Sequence, residues 1–249
     1  MSGRPDLAVI EVASATDIGR VRTDNQDRDL LSPPLIAVAD GMGGHLGGAT
    51  AASIAMDTLR GVGGSADPTV LLDALREANR AIAKAASDDP GLTGMGTTAT
   101  AALLEQGILY VVHVGDSRAY LIRDERILQV TEDHSVVAEM VRRGTLAAEA
   151  ADHHPARHVI TRALGADADI DIDALRVDLE PGDVVLLCTD GLSGPVNDAE
   201  ILAAITGSPS LEGAAAALVD RANAAGGPDN VTVVLARVDS VTREAAAAA

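Results

Sequence analysis

The chain has 249 residues, 47% of them hydrophobic, and its 19 lysines and arginines against 37 aspartates and glutamates leave a net charge of −18. That length supports a sizeable core, and that charge argues against binding nucleic acid or anionic lipid through bulk electrostatics. Phenylalanine and tryptophan are absent, so aliphatic side chains must fill the interior, and a lone cysteine, Cys188, excludes a disulfide framework and a cysteine zinc site.

Residues 9–15 predict a first strand. The polar segment 16–27 that follows carries Arg20 and Arg22 beside several acids and amides, which fits either an exposed loop or an anion site facing a metal. Leu35 to Ala39 is an unbroken apolar run, expected as a buried strand. It stops on Asp40 and a glycine cluster, Gly41-Met42-Gly43-Gly44-His45, which favours a sharp turn and close backbone approach. Apolar residues at helical spacing then predict a helix over 49–59. A second, strongly amphipathic helix is expected over 68–86, with Asp67 as its cap and Pro68 in its first position.

Gly94-Met95-Gly96-Thr97-Thr98 leads into a strand ending near Leu104. Short β-rich pieces at 108–114, 119–123 and 127–130 suggest an antiparallel meander. Residues 133–164 read as short helical pieces carrying His134, His153, His154 and His158, and are expected to form an exposed, mobile segment that contacts a partner. Strands return at 170–177 and 184–187, helices at 198–205 and 211–224, and a last strand at 231–238. Strands cluster rather than alternate with helices, so the expected class is α+β with antiparallel sheets.

Four acids sit at strand ends: Asp40, Asp116, Asp190 and Asp229. Their repetition suggests one shared site. Carboxylates with a backbone carbonyl, and no cysteine, are the ligand set of Mg²⁺ or Mn²⁺. Two such ions about 4 Å apart can share a water and stabilise an in-line displacement at phosphorus. Hydrolysis of a phosphate ester is the expected chemistry. A cysteine mechanism fails on spacing, because the position six after Cys188 is Gly194 rather than an arginine that could cradle phosphate. Ser117, in Gly115-Asp116-Ser117-Arg118, lacks the elbow of a serine nucleophile.

Taken together and in order, Arg22 with Asn25-Gln26-Asp27, Asp40-Gly41-Met42-Gly43-Gly44-His45, Gly94 to Thr98, Gly115 to Arg118, Thr189-Asp190-Gly191 and Gly227 to Asn230 resemble the bacterial branch of the metal-dependent protein serine/threonine phosphatases, the type 2C or PPM family. The resemblance runs from about Val9 to Val238. It implies two antiparallel sheets packed as a sandwich, helices on both outer faces, and a small helical flap over about 135–160. A single domain over 1–240 is expected, and the alanine-rich ending 241–249 reads as a disordered tail.

By motif position the resemblance makes Asp40 the bridge between two ions. Gly41 lends its carbonyl to one, Asp190 and Asp229 ligate the other, Asp27 supports the centre, and Asp116 joins Asp190 at a third, weaker metal position. Arg22, five positions before Asp27, matches the arginine that binds the substrate phosphate, and His158 in the flap is expected to touch substrate. Met42 stands where animal members carry a histidine thought to protonate the leaving group; a metal-bound water is the first replacement and His45 the second.

The implied protein is a cytoplasmic monomer without a membrane span, acting on phosphorylated proteins and opposing a bacterial Ser/Thr kinase. Two alternatives stand beside it: a phosphatase of an anti-anti-sigma-type regulator, and a non-catalytic phosphoprotein-binding module.

Overall fold

The computed structural model of the chain describes residues 7–43, 47–62, 69–151 and 154–240. The expected tail at 241–249, the cap at Asp67 and Pro68, and His45 and His153 lie outside the described residues.

The strands are β1 (Leu7–Asp17), β2 (Arg28–Ser32), β3 (Leu35–Ala39), β4 (Gly41–Met42), β5 (Gly96–Thr97), β6 (Ala99–Glu105), β7 (Ile108–Val114), β8 (Arg118–Arg123), β9 (Arg126–Gln129), β10 (Asp173–Asp178), β11 (Val184–Cys188) and β12 (Val231–Ser240). The helices are α1 (Gly47–Arg60), α2 (Thr69–Asp88), α3 (Val136–Arg142), α4 (Ala148–Ala151), α5 (Asp190–Ser193), α6 (Asp198–Thr206) and α7 (Leu211–Ala224).

Two five-stranded antiparallel sheets stack face to face, in the orders β1-β12-β11-β8-β9 and β10-β7-β6-β3-β2. Strand alternation explains the unbroken apolar runs. In β3, Ile36 and Val38 enter the layer between the sheets, while Leu35, Ala37 and Ala39 face the helical layer of α1 and α2. In β11, Val185 and Leu187 face inward, and Val184, Leu186 and Cys188 face the layer of α6 and α7. A strand buried on both faces has no position for a polar residue. The expected sandwich with helices on both outer faces is what forms.

The helices are amphipathic where they meet the sheets. Helix α1 buries Ala51, Ala52, Ala55, Met56 and Leu59, and α2 buries Leu71, Leu75, Ala78 and Ile82. Alanine lets helix and sheet approach closely, which a core without phenylalanine or tryptophan requires.

The expected meander over 108–130 does not form. Strand β7 pairs with β6 and β10 in one sheet, and β8 pairs with β9 and β11 in the other. The chain crosses between sheets at Gly115-Asp116-Ser117, where Gly115 takes φ +110° and a Cβ would stand 2.5 Å from the Thr98 side chain. The crossing leaves Asp116 at the end of the sandwich. Strand β10 also starts later than expected, at Asp173, and strand β2 was not anticipated: its five residues mix polar and apolar types at a sheet edge.

Candidate metal centre

At one end of the sandwich the strand ends open into a cleft of about 1450 Å³ lined by Arg22, Asp40, Gly41, Asp116, His158, Asp190 and Asp229. Six positions expected to bind metal or phosphate, and the flap histidine, therefore share one cavity. Strand β3 delivers Asp40, the β7–β8 crossing Asp116, strand β11 Asp190, and the turn before β12 Asp229. Asp27 lies beneath, 3% exposed, where Thr189 Oγ1 donates to its Oδ2 at 2.8 Å.

The acids are held in a state that ordinary side chains do not balance. Burial, with repulsion from Asp27, Asp190, Asp116 and Asp229, pushes Asp40 well above the usual carboxylate range. Burial and the charge of Asp229 raise Asp190, against the neighbouring Asp40 carboxyl and the charge of Arg22. Asp27 is pushed up to about 7 by burial, against the hydroxyls of Thr232 and Thr189. Asp116 reaches about 7 through burial and the charges of Asp190 and Asp133.

Asp27 Oδ1 and Asp190 Oδ1 are buried without a hydrogen-bond partner. Uncompensated buried carboxylates with orphaned oxygens call for a cation. Arg22 supplies one charge, through Nη2 to Asp229 Oδ2 at 2.6 Å, but its side chain is 57% exposed. The donor set fits hard divalent ions. Among the described residues no three histidine, cysteine, aspartate or glutamate side chains gather as one ligating group. Magnesium-type sites do not need one, since an ion held by one or two carboxylates completes its coordination with other oxygens.

Backbone fit explains why glycines follow two of the acids. A Cβ on Gly41 would stand 2.2 Å from Gly48 O, and a Cβ on Gly191 would stand 1.8 Å from Asn230 O. The second contact brings the chain after Asp190 against the residue that follows Asp229.

Several residues had no role assigned from sequence. Asn230, 5% exposed, donates through Nδ2 to Ile18 O and Asp24 O and accepts from Gln26 N, which fixes the loop that carries Arg22. Asp40 N donates to Thr98 Oγ1 at 2.9 Å, while Thr97 Oγ1 and Thr98 N donate to Asp40 O. An amide beside an acid in a Gly-Pro turn, and paired threonines after Gly-Met-Gly, were the available signals. His134 corrects the picture of an exposed segment. It is 2% exposed and packs against buried His113 in a tilted pair with ring centroids 4.7 Å apart. His158 is exposed, as expected.

A sandwich of antiparallel sheets with helices outside and an acid-lined cleft at one end is the architecture of a metal-dependent phosphatase. The chain belongs to the protein phosphatase 2C family, whose profile matches residues 18–229. It is 36% identical over 235 residues to the serine/threonine phosphatase stp of Listeria innocua, covering 88% of this chain and 92% of that one. It is 41% identical over 236 residues to the serine/threonine protein phosphatase PstP of Mycobacterium tuberculosis, spanning 92% of this chain and 45% of the relative.

The crystal structure of the Mycobacterium tuberculosis PstP/Ppp phosphatase superposes with a TM-score of 0.88 at 39% identity, covering 94% of this chain and all of that one. The PstP catalytic domain in complex with two manganese ions superposes with a TM-score of 0.85 at 38% identity, with the same coverage. No helix among the described residues is long and apolar enough to cross a membrane.

Proposed function

We propose that this phosphatase hydrolyses phosphoserine and phosphothreonine in protein substrates, and that the cleft formed by Asp40, Asp116, Asp190, Asp229 and Arg22 is its active site. The observation that carries this is the convergence, at one end of the sandwich, of desolvated and mutually repelling carboxylates with an arginine at their edge.

In this proposal Asp40 would bridge two Mn²⁺ or Mg²⁺ ions, Gly41 would lend its carbonyl to one, and Asp190 and Asp229 would hold the other. Asp27 would support them from beneath, and Asp116 with Asp190 would hold a third, weaker ion. When bound, the ions make water nucleophilic near neutral pH and offset charge on the phosphate. Arg22 binds the phosphate: its planar fork keeps donors free while one nitrogen contacts Asp229. The orphaned oxygens of Asp27 and Asp190 are the free acceptors that a bound cation would satisfy. As the bond from phosphorus to the serine or threonine oxygen breaks, that oxygen needs a proton that Met42 cannot give, and a water in the cleft would supply it. His158 meets the substrate chain at the flap.

Residues 1–240 would form one phosphatase domain that works as a cytoplasmic monomer, and phosphorylated proteins under the control of a Ser/Thr kinase would be its substrates. Release of phosphate from a phosphothreonine peptide by metal-stripped protein, with and without Mn²⁺ or Mg²⁺ restored, tests the whole assignment. Metal-dependent release that Asp40→Ala and Asp190→Ala both abolish supports it. Metal binding without turnover on several phosphopeptides would point to a phosphoprotein-binding module instead.

A further inference from the structure

His134 lies outside the acid cluster, yet it grips the residue next to one of its members. His134 N donates to Gly115 O at 2.7 Å, and Gly115 N donates to His134 Nδ1 at 3.1 Å. Both backbone groups of Gly115, the residue before Asp116, are thus held by one residue. Because Nδ1 accepts, the neutral ring carries its proton on Nε2, where Asp173 Oδ2 lies 3.2 Å away. Arg162 Nη1 holds the other oxygen of Asp173 at 2.9 Å.

The same residue closes the neck of the flap. Thr161 N donates to His134 O at 2.7 Å, and Val136 N donates to Val159 O at 2.8 Å. Behind the ring, His113 is fixed by Thr100 Oγ1 at its Nδ1 and by Glu132 O at its Nε2. On the far side of Asp116, the Ser117 hydroxyl shares a 2.7 Å hydrogen bond with Thr98, the residue that receives Asp40 N. Asp116 therefore hangs between two clamps, one tied to the backbone of Asp40 and the other, through His134, to the neck of the flap.

We propose that His134 is a positioning residue that sets the aim of Asp116 into the cleft and so couples the seating of the flap to the enzyme's response to its weakest-bound metal ion. This rests on the assignment of Asp116 to a metal position. Substitution of residues that orient metal ligands commonly costs 10–100-fold in metal affinity.

Two variants separate the arms of the imidazole. Asparagine places its Oδ1 near the position of Nδ1 and can still accept from Gly115 N, but falls short of Asp173. Glutamine reaches toward Asp173 from the position of Nε2 and leaves Gly115 N unpaired. In full-length protein, His134→Gln should raise the Mn²⁺ concentration for half-maximal phosphopeptide hydrolysis about tenfold, the cost of one lost buried hydrogen bond. Its KM for the peptide should stay unchanged. Weak Mn²⁺ binding, followed by the spin resonance of free Mn²⁺, should loosen in parallel, and amide exchange at Gly115 to Ser117 should quicken. His134→Asn should restore all three to near the wild-type values.

Equal losses of thermal stability in both variants with an unchanged Mn²⁺ response would overturn the proposal and leave His134 a core residue only. Equal shifts in Mn²⁺ response would also overturn it, since the effect would then not follow the contact with Gly115 N, and a shift in His134→Asn alone would assign it to Asp173. Asp116→Asn tests the underlying assignment separately. If that variant responds to Mn²⁺ as the wild type does, Asp116 is not a metal position, and the coupling falls whatever the exchange data show. A wild-type protein without Mn²⁺-dependent turnover would instead defeat the proposed function.

Discussion

Arg22 Nη2 and Asp229 Oδ2 stand 2.6 Å apart, although 207 positions separate them in the chain. The pair joins the loop after β1 to the turn before β12, the two strands that lie side by side at one edge of their sheet. Asn230 reinforces the join from beneath. Arg22 is thereby held over the carboxylates with most of its guanidinium free.

That placement predicts how its loss reads out. Arg22→Ala should lower kcat/KM for a phosphothreonine peptide about 10–100-fold, the worth of hydrogen bonds to a charged group. Most of the loss should appear in KM, as expected for a contact present in both substrate and transition state. Arg22→Lys should recover only part, because an ammonium lacks the two-pronged geometry. Steady-state kinetics at saturating Mn²⁺ decide; a loss under threefold would put the phosphate elsewhere in the cleft.

Asp40 predicts a reversal between metal-stripped and metal-loaded protein. Without metal it is a desolvated acid repelled by four others. Removing that charge while keeping shape relieves strain. Metal-stripped Asp40→Asn should therefore melt above metal-stripped wild type, by about 2–6 °C at roughly 2–4 °C per kcal/mol for a chain of this size. Added Mn²⁺ should raise the melting temperature of the wild type by mass action and leave the variant unmoved. Differential scanning fluorimetry with and without chelator makes the comparison, and a metal-stripped variant less stable than wild type would refute it.

These acids were legible in the sequence because they interrupt strands that have no other reason to stop. Leu35 to Ala39 and Val184 to Cys188 are apolar on both faces, so the polar residue that ends each run stands out. What connects the strand ends was not legible. The step from β7 to β8 is short enough for a hairpin, and only the positive φ at Gly115 and its contact with Thr98 send the chain to the other sheet. His134 shows the same limit from the other side. Its neighbours are polar and its segment lacks a clear period, so burial could not be inferred; its partners Gly115, Thr161 and Asp173 come from three separate parts of the chain. Strand β2 was missed because five mixed residues at an edge carry little pattern.

Gly191 tests how tightly two of the acids are tied together. A Cβ there would meet Asn230 O at 1.8 Å, and neither backbone can retreat without moving Asp190 away from Asp229. Gly191→Ala should cost about 3 kcal/mol or more, at the upper end for overpacking. It should also weaken Mn²⁺ binding. Gly182→Ala is the matched control: it has φ +91° but nothing within 4 Å of the new methyl, so about 1–2 kcal/mol of backbone strain is expected with metal binding intact. Urea denaturation and Mn²⁺ titration of both variants check the contrast. Equal metal affinities would show that the separation of Asp190 and Asp229 is not set by this contact.

His113 gives the protein an acid-sensitive core. Burial first, and then the charge of His134, lower its pKa to about 4, although Asp133 and the Glu132 carbonyl oppose them. In the unfolded chain it titrates near 6.5. Between those values the unfolded state binds a proton that the folded state refuses, so stability from this residue is complete above pH 6.5 and is lost as pH falls toward 4. The loss by pH 4.5 is about 2–3 kcal/mol at roughly 1.4 kcal/mol per unit. In metal-stripped protein Asp27 and Asp116 act in the opposite sense: their folded values near 7 are raised, so their contribution is present at low pH and disappears as pH rises through 7.

Comparing wild type with His113→Gln at each pH cancels that background, because both proteins carry the same acids. At pH 7 the variant should be the less stable, having lost the bonds to Thr100 and Glu132. By pH 4.5 the gap should shrink by about 2–3 kcal/mol as wild type surrenders the advantage of a neutral buried ring. Urea unfolding of the two metal-stripped proteins at both pH values measures it. A gap independent of pH would mean that His113 takes up its proton as readily in the folded protein as in the unfolded chain.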